Sequence, residues 1–80
     1  MTMIRGRGII VPIDWDEHGN VVAVGISTHG EGEYFIENQE KGEELKAFVG
    51  QEVEVIGEVR RKDDKRFIKV TEYKVMEGDK

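Results

Sequence analysis

Two kinds of hydrophobic spacing alternate along this chain, and their order predicts its architecture. Ile9-Ile10-Val11-Pro12-Ile13 is apolar, and past a charged interruption Val21-Val22-Ala23-Val24-Gly25-Ile26 is apolar again. Both runs are rich in β-branched residues and bounded by turn formers. Branched side chains fit a pleated surface better than the crowded turn of a helix, so both runs are read as strands. Ile9, Val11 and Ile13 are placed on one face, and Val22, Val24 and Ile26 on another, giving two half-buried strands. Pro12 donates no backbone hydrogen bond, so the first strand is expected to be an edge or bulged at that point. His29-Gly30-Glu31-Gly32 then supplies a turn. Residues 33–38 alternate as a short third strand whose phase stays open: either Tyr34 and Ile36 face the core, or Phe35 does.

The period changes over GEELKAFVG, residues 42–50. Leu45, Phe48 and Val49 fall at i, i+3 and i+4 on one helical face, Glu43 and Glu44 suit the positive N-terminal end, and Gly50 is placed to end the helix in a left-handed turn. A helix of about two turns follows. Period two returns in QEVEVIGEV, with Val53, Val55, Gly57 and Val59 on one face and Glu52, Glu54 and Glu58 on the other. The charged stretch RRKDDKR, residues 60–66, reads as a hairpin loop. The last strand runs over 67–76, with Ile68 and Val70 sharing a face and a bulge at Glu72 turning Tyr73 and Val75 inward as well. Residues 77–80 are expected to be a frayed tail. With no internal repeat and no linker, residues 1–80 read as one domain, its ordered barrel spanning about 5–76.

Three strands, a short helix and two more strands is the order of a small five-stranded barrel that a helix closes at one end between strands three and four. The run Leu45, Phe48, Val49-Gly50, then Val53, Val55, Gly57 and Val59 resembles the helix-into-fourth-strand segment of small bacterial OB-fold proteins, the oligonucleotide/oligosaccharide-binding fold family. The local signature covers 42–59, and the element order matches over roughly 5–76. The resemblance implies a mainly β, five-stranded OB-fold-like barrel. An SH3-like barrel is the rival, and helicity of residues 42–49 separates the two. The resemblance also implies a binding face on strands two and three, flanked by the loops joining strands one to two and four to five. Here those loops are residues 14–20 and 60–66.

Charge sharpens this picture. The formal net charge of −5 argues against general affinity for polyanions, but the charges are segregated. Residues 60–66 hold five basic and two acidic side chains, whereas residues 31–58 hold nine acidic and two basic ones. Arg60, Arg61, Lys62, Lys65 and Arg66 could track a phosphate backbone, joined by Arg7, while Phe67, Phe35 and Trp15 could stack on bases. Trp15 is more simply read as a lid on the core. The expected function is a non-enzymatic binding module, with single-stranded DNA or RNA as the partner. The alternative is a protein-interaction or oligomerisation module using an apolar outer patch of Ile10, Val21, Ala23 and Phe35, or an exposed strand edge.

Other chemistries find little support. Asp14-x-Asp16 with Gly19 and Asn20 looks like the front of a calcium loop, but the fifth position is His18 and the twelfth is Gly25, where oxygen ligands are required. DWDEHGN, residues 14–20, is therefore read as the loop between strands one and two, and no metal site is expected. Ser27 and His29 stand two apart on one strand face, too far for a nucleophile–base hydrogen bond. His18 and His29 lack recognisable zinc spacing, and no cysteine is present. Neither a catalytic residue nor a cofactor is expected. No apolar run has signal-peptide or membrane-spanning length, so a cytoplasmic location is expected.

Overall fold

The computed structural model describes residues 2–37 and 39–76. Within them lie β1 (Thr2–Trp15), β2 (Val21–Thr28), β3 (Gly32–Ile36), α1 (Gln39–Leu45) with a 3₁₀ turn Lys46–Phe48, β4 (Glu52–Lys62) and β5 (Lys65–Val75). The strands close a barrel in the order β1-β2-β3-β5-β4, with β4 returning to β1. Every pairing is antiparallel except β3 with β5, which is parallel through Phe35↔Phe67 and Ile36↔Ile68. A closed five-stranded barrel with a helix between strands three and four is compatible with an OB-like fold. Helical geometry as far as Phe48 removes the main argument for an SH3-like barrel. The expected tail at 77–80 and the last residue of the expected third strand, Asn38, lie outside the described residues.

Closure depends on β1, which is long enough to serve two partners. Residues 8–15 pair with β2, and residues 2–9 pair with β4. The β1–β2 ladder slips between Pro12 and Trp15, where proline was expected to disturb it. A second irregularity sits in β4–β5: Ile56 pairs with Glu72 but Gly57 pairs with Val70, leaving Thr71 as the extra residue. The Thr71 hydroxyl donates to the Ile56 carbonyl at 3.0 Å. This bulge shifts the phase of β5, so Ile68 and Val70 point inward before it and Tyr73 and Val75 pack against the core after it. Gly57 lies at the same crossing. A Cβ there would stand 2.3 Å from the Lys69 carbonyl oxygen, so the strands approach too closely for any side chain.

The core comprises Ile10, Val24, Ile26, Tyr34, Leu45, Val53, Val55, Ile68 and Val70. No buried polar side-chain atom among the described residues lacks a partner. Tyr34 settles the phase of β3, leaving Phe35 on the outer face. Leu45 is fully buried and plugs the barrel, contributing roughly 1.5–3 kcal/mol by its removal from water. Phe48 packs beside it against Tyr73, with ring centroids 6.2 Å apart. The Tyr73 hydroxyl donates to Glu44 Oε1 at 2.9 Å, tying the helix to β5, and this hydrogen bond together with burial raises the phenol pKa.

Three sequence-level expectations about facing are corrected. On β1 it is Ile10 that is fully buried, while Ile9, Val11 and Ile13 are only partly so. A strand apolar on both faces carries no alternation from which to read its phase. Ile10 therefore leaves the outer patch proposed for it. Val49 does not share the plug with Leu45 and Phe48, because the helix ends before it: its ψ is 131° and it is 37% exposed. Gly50 follows at φ 89° and donates its N–H to the Ile10 carbonyl at 2.8 Å. Val22 is exposed because the β1–β2 ladder passes from Asp14↔Ala23 to Trp15↔Val21 and leaves it unpaired, with Val21 packing against the core in its place, although Val24 and Ile26 face inward as expected.

Candidate functional site

Alternation decides what the outer face of β2, β3 and β5 presents. With Val24, Ile26, Tyr34 and Ile68 inward, Ala23, Gly25, Phe35 and Phe67 face outward. Gly25 has no side chain to raise the surface, and Ile13 of β1 lies over it: a Cβ on Gly25 would meet Ile13 Cδ1 at 2.9 Å. The result is a groove of about 500 Å³ floored by Phe35 and Phe67, walled by Ile13 and Ala23, and bordered by Arg60, Lys62, Lys65 and Glu37. The two rings meet edge to face, with centroids 5.5 Å apart and planes inclined at 66°. Lys65 Nζ lies 5.7 Å from the Phe35 centroid, within cation–π range.

The predicted basic loop is in fact strand nearly to its tip. β4 continues to Lys62, β5 starts at Lys65, and only Asp63 and Asp64 turn, both with left-handed φ of 55° and 64°. Two central residues at positive φ define the hairpin turn whose twist matches its flanking strands. Because the cations lie on strands, alternation sorts them onto two faces. Arg60, Lys62 and Lys65 border the groove beside Phe67. Arg61 and Arg66 pair across the ladder in the opposite phase. Arg66 is absorbed structurally, its guanidinium stacked 4.7 Å from the Tyr34 centroid and donating to the Glu31 carbonyl.

The groove cations also differ among themselves. Arg60 makes a two-point pair with Glu37, Nε to Oε1 at 3.2 Å and Nη2 to Oε2 at 2.5 Å. Its charge is thus matched on the spot. Lys62 and Lys65 make no ion pair among the described residues, so they are the cations free to meet an anion. A second hollow of about 300 Å³ continues the groove past Ala23, Val24, Ile36 and Glu37 towards Val22, Gln39 and Glu43 at the helix. The surface changes from aromatic and basic to apolar and acidic along its length.

The remaining candidates lie elsewhere. Trp15 is 51% exposed, which overturns its reading as a core lid, and it does not line the groove, which stops at Ile13. Arg7 lines a separate cleft of about 230 Å³ with Arg5, Gly6, Thr28, His29 and Glu31. The 14–20 loop is a self-contained turn. Asp16 Oδ1 accepts from the backbone N–H groups of His18 at 2.8 Å and Asn20 at 2.9 Å, and Oδ2 accepts from Asn20 Nδ2 at 3.3 Å. The Asn20 backbone hydrogen bond is the largest of the influences that lower the Asp16 pKa. A carboxylate so hydrogen-bonded holds its own turn together, and no group of three or more candidate metal ligands occurs among the described residues. No described helix is long and apolar enough to cross a membrane.

Ile13 and Glu37 escaped the sequence reading as site residues, and Ala23 was named only for the alternative apolar patch. Gly25 at an outward position was the one available signal for a hollow. The Glu37–Arg60 pair spans 23 residues and left no trace in the pattern. No protein-family model, curated protein or solved structure matches this chain.

Proposed function

We propose that this chain is a non-enzymatic OB-fold module of the bacterial cytoplasm that binds single-stranded nucleic acid in the groove on the outer face of β2, β3 and β5. The observation that carries the reading is the convergence of two solvent-reachable rings, Phe35 and Phe67, with two unpaired lysines, Lys62 and Lys65, in one hollow of about 500 Å³. Rings supply stacking, worth about 1–3 kcal/mol per base and indifferent to base identity, while ammonium groups meet phosphates. An acidic chain can do this because its negative charge is concentrated outside residues 60–66. The test is a backbone amide NMR titration with short single-stranded DNA and RNA at two salt concentrations. Shifts centred on residues 33–37, 60–62 and 65–67 that fade as salt rises support the reading; no shift at low salt rejects it.

A protein partner is the second reading, favoured by exposed Val22 and Trp15 at 47% and 51%. It predicts amide shifts on self-association or with a protein ligand around 15–24, unaffected by charge reversal at Lys62 and Lys65.

A further inference from the structure

The charge pattern of RRKDDKR suggests a surface that tracks a long polyanion, but the side-chain geometry describes a much shorter site. Of the six cations the sequence offers, Arg7 lies in another cleft, Arg61 and Arg66 fall on the opposite strand phase, and Arg60 is matched by Glu37. Two remain in the groove, Lys62 and Lys65. A strand extended towards the helix finds no net positive charge at the Glu37–Arg60 pair and then meets Glu43, and Ile13 at the groove's edge is followed in sequence by Asp14, Asp16 and Glu17 rather than by cations. The floor limits the ligand too. Phe35 and Phe67 are inclined at 66°, so two bases lying flat on them cannot stack on each other.

Resting on the nucleic-acid reading, we infer that the groove holds a two-phosphate, unstacked step of single strand, gripped by Lys62 and Lys65, and does not track the strand further. Lys65 leaves the Phe35 ring when a base arrives and moves to the adjoining phosphate. Because the step must be unstacked, weakly stacking thymine strands bind better than adenine strands.

The experiment is a fluorescence titration of dT4, dT8, dT16 and dA8 over a range of salt. Each neutralised phosphate of a single strand contributes about −0.7 to the slope of log affinity against log salt, so the expected slope is about −1.4, against about −4 if all six cations were engaged. Affinity should rise from dT4 to dT16 only in proportion to the number of binding registers, and dT8 should bind several-fold more tightly than dA8. Lys62→Gln and Lys65→Gln should each reduce the slope by about 0.7, whereas the charge-neutral double variant Glu37→Gln/Arg60→Gln should leave it unchanged. A slope of about −3 or steeper, a slope reduced by Arg61→Gln or Arg7→Gln, or equal binding of dA8 and dT8 overturns the inference while leaving the function standing. Failure of every oligonucleotide to bind at low salt removes the function, and the inference with it.

Discussion

Two of the antiparallel hairpins of this barrel, β4–β5 and β1–β2, carry opposite charges at their tips and handle them in opposite ways. In β4–β5 the ladder runs unbroken from the bulge at Thr71 to a two-residue turn, so its tip cations belong to strands and are dealt alternately to two faces. In β1–β2 the ladder slips twice near Pro12 and gives way to a true loop, whose Asp16 is consumed by its own backbone. A cluster of like charges in sequence is therefore a cluster in space only where the chain leaves its strands. The basic run looks stronger on paper than it is in the groove.

The comparison can be strained hardest at the glycines. Gly57→Ala forces a Cβ against the Lys69 carbonyl and should destabilise by about 3 kcal/mol. Gly19→Ala in the loop meets nothing within 4 Å and suffers only from its φ of 84°, for a loss of about 1 kcal/mol. Equal losses in chemical denaturation would mean that β4 and β5 are less closely apposed than described.

Next in size is the division of the cations. Reversing both Lys62 and Lys65 to Glu should weaken oligonucleotide affinity on the order of 100-fold, while Arg61→Glu should change it by no more than about 3-fold. A loss with Arg61→Glu as large as that with the lysines would mean that alternation does not sort the cations. Smaller still is the turn itself. Asp63→Asn/Asp64→Gly supplies residues better suited to left-handed backbone and should raise stability by about 0.5–1 kcal/mol, read as a higher melting temperature.

The smallest expected effect belongs to the acidic loop. The folded pKa of Asp16 is lowered from 3.8, so its stabilisation of the loop is complete above that value and is lost as pH falls through the lower folded one. Protection of the His18 and Asn20 amides from hydrogen exchange should decline over that acid range, and the decline should vanish in Asp16→Asn. An unchanged protection profile in the wild type would show that the carboxylate does not hold the turn.

Much of the barrel was legible from residue order. β4 alternates valine with glutamate from Glu52 to Val55, the helix announces itself through Leu45 and Phe48, and the phase shift of β5 follows from Ile68 and Val70 being out of step with Tyr73 and Val75. β1 was not legible in the same way, since five consecutive apolar positions fit either facing, and Ile10 rather than its neighbours became the core residue. Of the candidate residues named from the sequence, Phe35, Phe67, Arg60, Lys62 and Lys65 line one groove, whereas Trp15 and Arg7 were grouped with them only by type. Their distance from the groove depends on where β1 bends and which cleft it borders.

The sequence by itself determined the order of elements, the residues able to fill a core and the uneven distribution of charge, because each of these follows from local periodicity and composition. Tertiary structure alone decided which face each strand showed to solvent, that Glu37 would neutralise Arg60 and Tyr34 would hold Arg66, and that two lysines would be left over an aromatic floor. Those outcomes depend on register between strands distant in sequence, and a shift of one residue in that register exchanges inside for outside.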